Sequence, residues 1–187
     1  MREKIIFGVT GTNGAGKGTI VEFLVEEKGF KHFSASGLIT EEIKRRGMLV
    51  DRNSMRDVGN DLRKIHGPGY VAEELFRRAR ASGENAIIES IRTLGEVDLV
   101  KKEGGVLLAV DAEVKTRYER IRLRKTAKDM VSFEEFVRQE NMEMGSSDPN
   151  KQNLRACINA ADKVILNNGT KEELNQKVEE ILKIYIK

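Results

Sequence analysis

A glycine-rich segment at residues 11–19 constrains the fold of this chain more than any other feature. The segment reads Gly-Thr-Asn-Gly-Ala-Gly-Lys-Gly-Thr, and it lies between an apolar run at 5–9 and an amphipathic stretch at 20–27. A strand, a glycine-rich turn and a helix start in this order predict a phosphate-binding loop, or P-loop. Glycines allow backbone conformations that a β-carbon excludes, so successive N–H groups can converge on one anion. The helix N-terminus adds partial positive charge at the same point, and Lys17 adds a full one.

We expect this loop to bind ATP. The predicted ATP-binding residues are Gly11, Asn13, Gly14, Ala15, Gly16, Lys17, Gly18 and Thr19. The general pattern has Ser or Thr directly after the lysine, where the hydroxyl holds magnesium. Gly18 occupies that position, and the hydroxyl of Thr19 comes one residue later and points at a different phosphate. We therefore expect Mg²⁺ to be held by water, by nucleotide oxygens and by another carboxylate.

The form Gly-x-x-Gly-x-Gly-Lys-Gly-Thr resembles the P-loop of the adenylate kinase family of nucleoside monophosphate kinases. In that family, too, a glycine follows the lysine. The resemblance implies ATP and Mg²⁺ as cofactors and a small nucleotide as the phosphate acceptor.

Length and composition favour one globular domain spanning residues 1–187. Charged residues make up 34% of the chain, and the net charge of +3 arises from interspersed acids and bases. No basic and aromatic platform is apparent, so we expect no nucleic-acid partner. The apolar run at 5–9 is too short for a signal peptide or a membrane span, which predicts a cytoplasmic protein with no membrane partner. Cys157 is the only cysteine, and its apolar spacing predicts a buried small hydrophobe. The oligomeric state stays open.

Five apolar, β-rich runs alternate with helical patterns along the chain. These runs end near Val9, Phe33, Ile88, Val110 and Leu166. The alternation predicts an α/β fold of the P-loop kinase type, with a five-stranded parallel sheet and helices on both faces. Ligands of such sheets lie outside the carboxyl ends of the strands, so the residues after each run are the candidates for a site.

Two polar segments interrupt this alternation. The sequence His-Gly-Pro-Gly at 66–69 must break or kink the helical stretch at 54–82. Residues 126–153 contain two helical patterns around a loop at 145–150. We expect this excursion to form a small helical lid over the nucleotide, mobile without nucleotide and ordered with it.

The residues after the third strand include a carboxylate and an arginine. Glu89 can accept hydrogen bonds from magnesium-bound water, and Arg92 can grip a phosphate with its planar fork. The segment resembles the adenylate kinase motif Asp-Gly-x-Pro-Arg, whose arginine holds the acceptor phosphate. It departs from that motif in Glu89 and in the lack of proline. The alternative is a surface turn with an incidental ion pair.

After the second strand the chain reads Ser34-Ala35-Ser36. In the family that the chain resembles, this region begins the helix that closes on the acceptor, with an arginine one turn later. Thr40 falls near that position here, so Arg56 and Arg63 are replacement candidates. We prefer Arg63, and we expect it to bind the acceptor together with Ser34 and the arginine after the third strand. The alternative for Arg63 is a solvated helix arginine.

The helical pattern after the fourth strand carries Arg117, Arg120 and Arg124 on one face. Three arginines on one face repel each other unless an anion or carboxylates lie opposite. In adenylate kinases a similar arginine pair contacts the phosphate donor; Arg120 and Arg124 match its spacing, and Arg138 is a candidate lid arginine. The alternative is a solvated charged face.

The loop after the fifth strand, Asn167-Asn168-Gly169-Thr170, precedes a helix. It is similar to the loop that lies against the adenine edge in adenylate kinases and in dephospho-coenzyme A kinases, which implies nucleotide contacts at Asn168 and Gly169. Thr170 and Glu173 also form a capping box, which needs no ligand.

The sequence thus favours transfer of the γ-phosphoryl group of ATP to a nucleoside or deoxynucleoside monophosphate. Its catalytic residues would be Lys17, Arg92, Arg120 and Arg124, because such chemistry needs positioning and charge neutralisation. Dephospho-coenzyme A kinase is an alternative, but its hydroxyl acceptor favours a carboxylate base, and the second strand ends without an acid. A nucleotide-binding sensor with little turnover is an alternative of another class. The sequence does not determine the acceptor base or sugar.

Overall fold

A sheet of five parallel strands lies at the centre of the computed structural model, which describes residues 4–124 and 131–186 apart from the side chain of Arg52. The strands are β1 (Ile6–Gly11), β2 (Lys31–Ser34), β3 (Ala86–Glu89), β4 (Val106–Asp111) and β5 (Lys163–Leu166). Their order in the sheet is β2–β3–β1–β4–β5, and every neighbouring pair is parallel. The predicted five-stranded parallel sheet is confirmed.

Nine α-helices occur in the described part of the chain. They are α1 (Lys17–Lys28), α2 (Ala35–Arg45), α3 (Arg52–His66), α4 (Tyr70–Ser82), α5 (Leu94–Lys102), α6 (Val114–Leu123), α7 (Phe133–Met144), α8 (Leu154–Asn159) and α9 (Lys171–Tyr185). The break at 66–69 is confirmed between α3 and α4. Gly67 there has a φ of +107°, which a residue with a β-carbon rarely adopts. None of the helices described is long and apolar enough to cross a membrane.

Helices cover both faces of the sheet, so the strand interiors are apolar on both sides. On one face, α1 and α9 bury side chains such as Phe7 and Leu108. On the other face, α4, α5 and α8 bury side chains such as Ile88 and Leu107. Cys157 belongs to the second cluster, and burial raises the pKa of its thiol to about 12. The expectation of a buried, unreactive cysteine is therefore confirmed.

The predicted lid region contains one helix in its described part, where two helical patterns were expected. The second pattern becomes α8, which begins at Leu154, just beyond the predicted segment. Residues 126–130 of the predicted lid lie outside the described residues. Helix α7 packs on α6 through Phe136, which is buried against Tyr118 and lies near the Arg117 guanidinium. The described part of the lid is therefore docked on the sheet domain.

Candidate active site at the carboxyl edge of the sheet

The P-loop connects β1 to α1, and three of its glycines have positive φ angles. Gly11, Gly14 and Gly16 have φ values of +139°, +80° and +116°. A β-carbon at Gly11 would lie 2.0 Å from the carbonyl oxygen of Val110, and one at Gly14 would lie 2.5 Å from that of Arg117. Neighbouring backbone cannot yield to such contacts, so both the conformation and the packing of the loop require glycine.

Gly18 differs from these three glycines. Apart from its chain neighbours and the backbone of its own helix, no atom of the described residues lies within 4 Å of a β-carbon built at Gly18, and its φ is not positive. Packing therefore does not explain why this position, which usually carries a magnesium-binding hydroxyl, is glycine here.

The side chain of Lys17 is folded over the P-loop. Its Nζ donates to the carbonyl oxygens of Gly11, at 2.9 Å, and Thr12, at 2.8 Å. The pKa of Lys17 is lowered to about 7, mainly by burial and secondarily by the positive charge of Arg92. The negative charge of Glu89 acts in the opposite direction. The low pKa therefore reflects mainly the burial of the amine, and a bound phosphate would favour its protonated form.

Arg92 faces the P-loop from the turn after β3 and is held by the lid region. Its Nη1 donates to Glu143 Oε2 on α7, at 2.9 Å, and to Gln152 Oε1, at 2.8 Å. The turn is strained, because Ser90 has a φ of +76° and is the only non-glycine residue with a positive φ in the described part of the chain. The motif that this segment resembles has glycine at that position, so Ser90 is a third departure from it.

Glu89 ends β3 beside the P-loop, and its Oε2 lies 3.1 Å from Nε2 of His32 on β2. This hydrogen bond lowers the pKa of Glu89, although partial burial acts in the opposite direction. An ionised carboxylate at this place suits a contact to metal-bound water. His32 was not predicted as a site residue, because only the pairing of β2 with β3 brings it to Glu89.

Two of the predicted acceptor contacts have other partners in the structure. Arg63 is 2% exposed, and its Nε and Nη2 both lie 2.8 Å from Oε1 of the fully buried Glu96. The expected position of Arg63 at an open acceptor site is therefore corrected: its guanidinium is enclosed in the protein and neutralised there. The Oγ of Ser34 accepts from the backbone N–H of Gly37 and caps α2. Arg56 pairs with Asp57 at the surface.

The arginines of α6 have separate environments, although they were predicted to share one face. Arg117 is 5% exposed, forms a two-point ion pair with Glu140 of α7 and donates to the carbonyl of Ala112. Of the two partners that would relieve repulsion on this face, an anion or a carboxylate, Arg117 therefore has a carboxylate. Arg124, at the end of α6, is exposed, and its charge contributes to the low pKa of Lys17.

Arg120 binds the loop that follows β5. Its Nη1 donates to the carbonyl of Asn167, at 2.8 Å, and its Nη2 donates to that of Gly169, at 2.9 Å. Asn167 in turn donates from Nδ2 to the carbonyl of Ala15, at 2.7 Å. The loop and the P-loop are thus tied together, an arrangement that the sequence did not indicate because Asn167 and Ala15 are 152 residues apart.

The remaining predicted residues are placed as follows. Asn168 accepts through Oδ1 from the backbone N–H of Glu113, at 2.8 Å. The capping box of Thr170 at the start of α9 is confirmed. Arg138 is exposed and pairs with Glu135 on its own helix.

A second carboxylate beside the P-loop was missed. Asp111 is the last residue of β4, and its Oδ1 accepts from Thr12 Oγ1 at 2.6 Å. No group of three or more His, Cys, Asp or Glu side chains in the described part of the chain is arranged to hold a metal ion. A cation at this edge would therefore take most of its ligands from a bound nucleotide and water.

Comparison with known proteins finds a matching family model and relatives that cover most of the chain. A family model described as an AAA domain matches residues 10–137. A UPF0200 protein of Staphylothermus marinus is 32% identical over 176 residues, which cover 94% of this chain and 89% of that protein. Another, from Methanothermobacter thermautotrophicus, is 30% identical over 182 residues, with coverages of 96% and 90%.

Solved structures show the same fold at low identity. The protein TT1252 from Thermus thermophilus superposes with a TM-score of 0.63 at 20% identity, covering 97% of this chain and 98% of that one. Shikimate kinase from Bacteroides thetaiotaomicron superposes with a TM-score of 0.59 at 14% identity, covering 96% and 98%. At these identities the likeness establishes the P-loop kinase fold alone.

Proposed function

The chain belongs to the UPF0200 protein family and has a P-loop kinase fold, and from this premise we propose that it transfers the γ-phosphoryl group of ATP to the phosphate of a nucleoside or deoxynucleoside monophosphate. The observation that carries the proposal is the geometry of the P-loop, in which three glycines have positive φ angles and the Nζ of Lys17 lies on the loop carbonyls. Burial is the main cause of the lowered pKa of Lys17; the charges of Arg92 and Arg124 act in the same direction, and those of Glu89 and Glu143 oppose them. Phosphates of a donor and an acceptor would bind to these cationic side chains.

The residues of the P-loop fit a triphosphate donor. Positive-φ glycines keep β-carbons out of the cradle, and Lys17 can turn from the loop carbonyls to the outer phosphates. We assign Arg124 to the donor phosphates. Arg120 would support the loop at Asn168 and Gly169, against which the adenine would lie.

Mg²⁺ would neutralise the charge that develops on the transferred group, and the residues near the P-loop fit it. Glu89 is ionised, so it can accept hydrogen bonds from water on the metal. Asp111 offers a second carboxylate on the other side of β1. Neither carboxylate needs to bind the metal directly, because the nucleotide supplies oxygen ligands.

On the acceptor side, Arg92 would grip the phosphate of the monophosphate. In this conformation Glu143 of α7 binds that guanidinium. We propose that this lid carboxylate lies where an oxygen of the acceptor phosphate would bind, so that the acceptor displaces it. The lid would then close on the nucleotides and keep water from competing as acceptor.

This displacement predicts the effect of Glu143→Gln. Without the carboxylate, the acceptor phosphate no longer competes for Arg92, and the acceptor KM should fall by roughly threefold to tenfold, the range for removal of a partly buried charge–charge contact. Steady-state kinetics with a varied acceptor measure it. Glu135→Gln is the matched control, because Glu135 pairs with the exposed Arg138 on the same helix. A KM that rises in Glu143→Gln would contradict displacement.

Proton uptake on ATP binding is a second expected result. Because the pKa of Lys17 is about 7 in the folded protein, the amine is mostly neutral at pH 8. A triphosphate raises that pKa, so binding at pH 8 should take up as much as about one proton. Calorimetry in buffers with different ionisation enthalpies counts it. Lys17→Arg, which stays protonated, should show none of this uptake, and equal uptake by both proteins would contradict the assignment.

A coupled assay for ADP release tests the function itself. The acceptor panel contains the common nucleoside monophosphates, their deoxy forms and dephospho-coenzyme A. With at least one monophosphate, we expect the rate of ADP release to be well above the rate with ATP alone. ATP binding without release for any acceptor would contradict the proposal and favour a nucleotide sensor.

A hydroxyl acceptor is the second candidate, and one observation favours it. Glu89 at the end of β3 and His32 within β2 place a carboxylate and an imidazole together, although β2 itself ends without an acid. Such a pair could take the proton of an attacking hydroxyl. ADP release with dephospho-coenzyme A but with none of the monophosphates would support this candidate over the first.

A further inference from the structure

A buried ion pair lies under the turn that carries Arg92. It joins Arg63 of α3 to Glu96 of α5, whose side chains are 2% and 0% exposed. Both Nε and Nη2 of Arg63 approach Oε1 of Glu96, which leaves the second carboxylate oxygen for other donors.

The second oxygen of Glu96 fixes the backbone of the Arg92 turn. Oε2 accepts from the N–H of Arg92 at 2.7 Å and from the N–H of Thr93 at 3.3 Å. The Thr93 bond belongs to the capping box of α5. The shorter bond to Arg92 goes beyond what capping requires, because it reaches the residue before the N-cap.

Other contacts hold the same turn from both sides. Thr93 Oγ1 donates to the carbonyl of Pro68, and Thr10 Oγ1 donates to the carbonyl of Ile91. The turn also contains the strained Ser90. A strained segment persists only where its surroundings determine it fully, and Glu96 contributes two of these constraints.

A buried ion pair is poor evidence for stability, because desolvation offsets its attraction and an apolar pair often serves as well. A role in positioning accounts better for the geometry. Arg63 neutralises Glu96, and Glu96 can then direct its other oxygen at the N–H of Arg92. Through Arg63 the turn is also connected to α3.

We propose that Glu96 and Arg63 are positioning residues that hold the Arg92 turn so that its guanidinium meets the acceptor phosphate. This inference rests on the proposed function, because it assumes that Arg92 binds the acceptor. It assigns Arg63 an indirect role in place of the direct contact that the sequence predicted.

Two double variants provide the test. Arg63→Met with Glu96→Gln removes both buried charges but keeps a carbonyl oxygen for the N–H of Arg92. Arg63→Met with Glu96→Leu removes the charges and that oxygen as well. Neither protein contains an unpaired buried charge, so both are expected to fold.

The double variant with Glu96→Leu should raise the acceptor KM at least about tenfold relative to the one with Glu96→Gln, because the oxygen that it lacks accepts from the N–H groups of both Arg92 and Thr93. The KM for ATP should stay within about twofold in both, because the P-loop is unchanged. If the ion pair only stabilised the fold, the loss of the oxygen would lower thermal stability but would not raise the acceptor KM relative to the KM for ATP. Equal acceptor KM values in the two pairs would overturn the proposal.

Amide hydrogen exchange at Arg92, measured without substrates, separates this inference from the proposed function. Exchange should be on the order of tenfold faster in the Glu96→Leu pair. If the wild-type protein phosphorylates no acceptor, the proposed function is refuted. Faster exchange in the double variant would still support the role of Glu96 in holding the turn. Equal exchange would refute that role as well.

If the Glu96→Leu pair does not fold, Arg63→Lys replaces it. This variant keeps the positive charge but loses the planar fork. It should raise the acceptor KM while the ATP KM is unchanged, and an unchanged acceptor KM would count against the proposal.

Discussion

Replacing Arg92 by Lys is expected to lower the rate of acceptor phosphorylation about 10³-fold, by analogy with other arginines that stabilise phosphoryl transfer. The charge is kept, but the two parallel N–H donors that fit a phosphate are lost. ATP affinity should change little, because the P-loop is not altered. Steady-state kinetics with varied acceptor, together with calorimetry for ATP, measure both quantities.

Arg138→Lys is the control for this change, because Arg138 is an exposed arginine paired with Glu135 on the lid helix. It should behave like the wild type. A loss of ATP affinity in Arg92→Lys with normal acceptor kinetics would assign Arg92 to the donor instead.

Replacing Lys17 by Met is expected to weaken ATP binding at least tenfold and to lower turnover by about 10³-fold, since a cation on the outer phosphates acts most strongly in the transition state. The fold should be retained, because Met preserves the apolar stem and removes a desolvated amine whose pKa burial lowers to about 7. Calorimetry and thermal unfolding test the two statements separately.

Lys171→Met is the matched control, because this lysine forms a surface pair with Glu22 far along the chain. It should bind ATP as the wild type does. If Lys17→Met binds ATP with unchanged affinity and turns it over normally, the P-loop is not the donor site.

The sheet and the P-loop could be predicted from the sequence because local patterns determine them. Each strand is an apolar run, and the observed strands end at or within two residues of the predicted ends. The glycines of the P-loop adopt backbone conformations that other residues rarely adopt, so their spacing in the sequence indicates the loop without a structure.

The partners of the charged side chains could not be predicted in the same way. Arg63 meets Glu96 33 residues later, and Arg117 meets Glu140 23 residues later. In the sequence, each resembles an arginine on a solvated helix face. Burial by tertiary packing decides whether such a side chain is structural or open to a ligand, and helical spacing does not report it.

Site residues contributed by neighbouring strands were missed for a related reason. His32 and Asp111 gain their importance from the order of strands in the sheet, which brings them to Glu89 and Thr12. Ser90 is different, because the motif that its segment resembles has glycine there. Comparing every position of that motif would have indicated the strained turn.

Transfer of label from ATP carrying a radioactive γ-phosphate tests the central claim most directly. With the best acceptor of the panel under single-turnover conditions, the label should appear in the corresponding nucleoside diphosphate, and Lys17→Met should form this product about 10³-fold more slowly. Label that stays in ATP, or appears only as inorganic phosphate while the acceptor is bound, would contradict phosphoryl transfer to a nucleoside monophosphate.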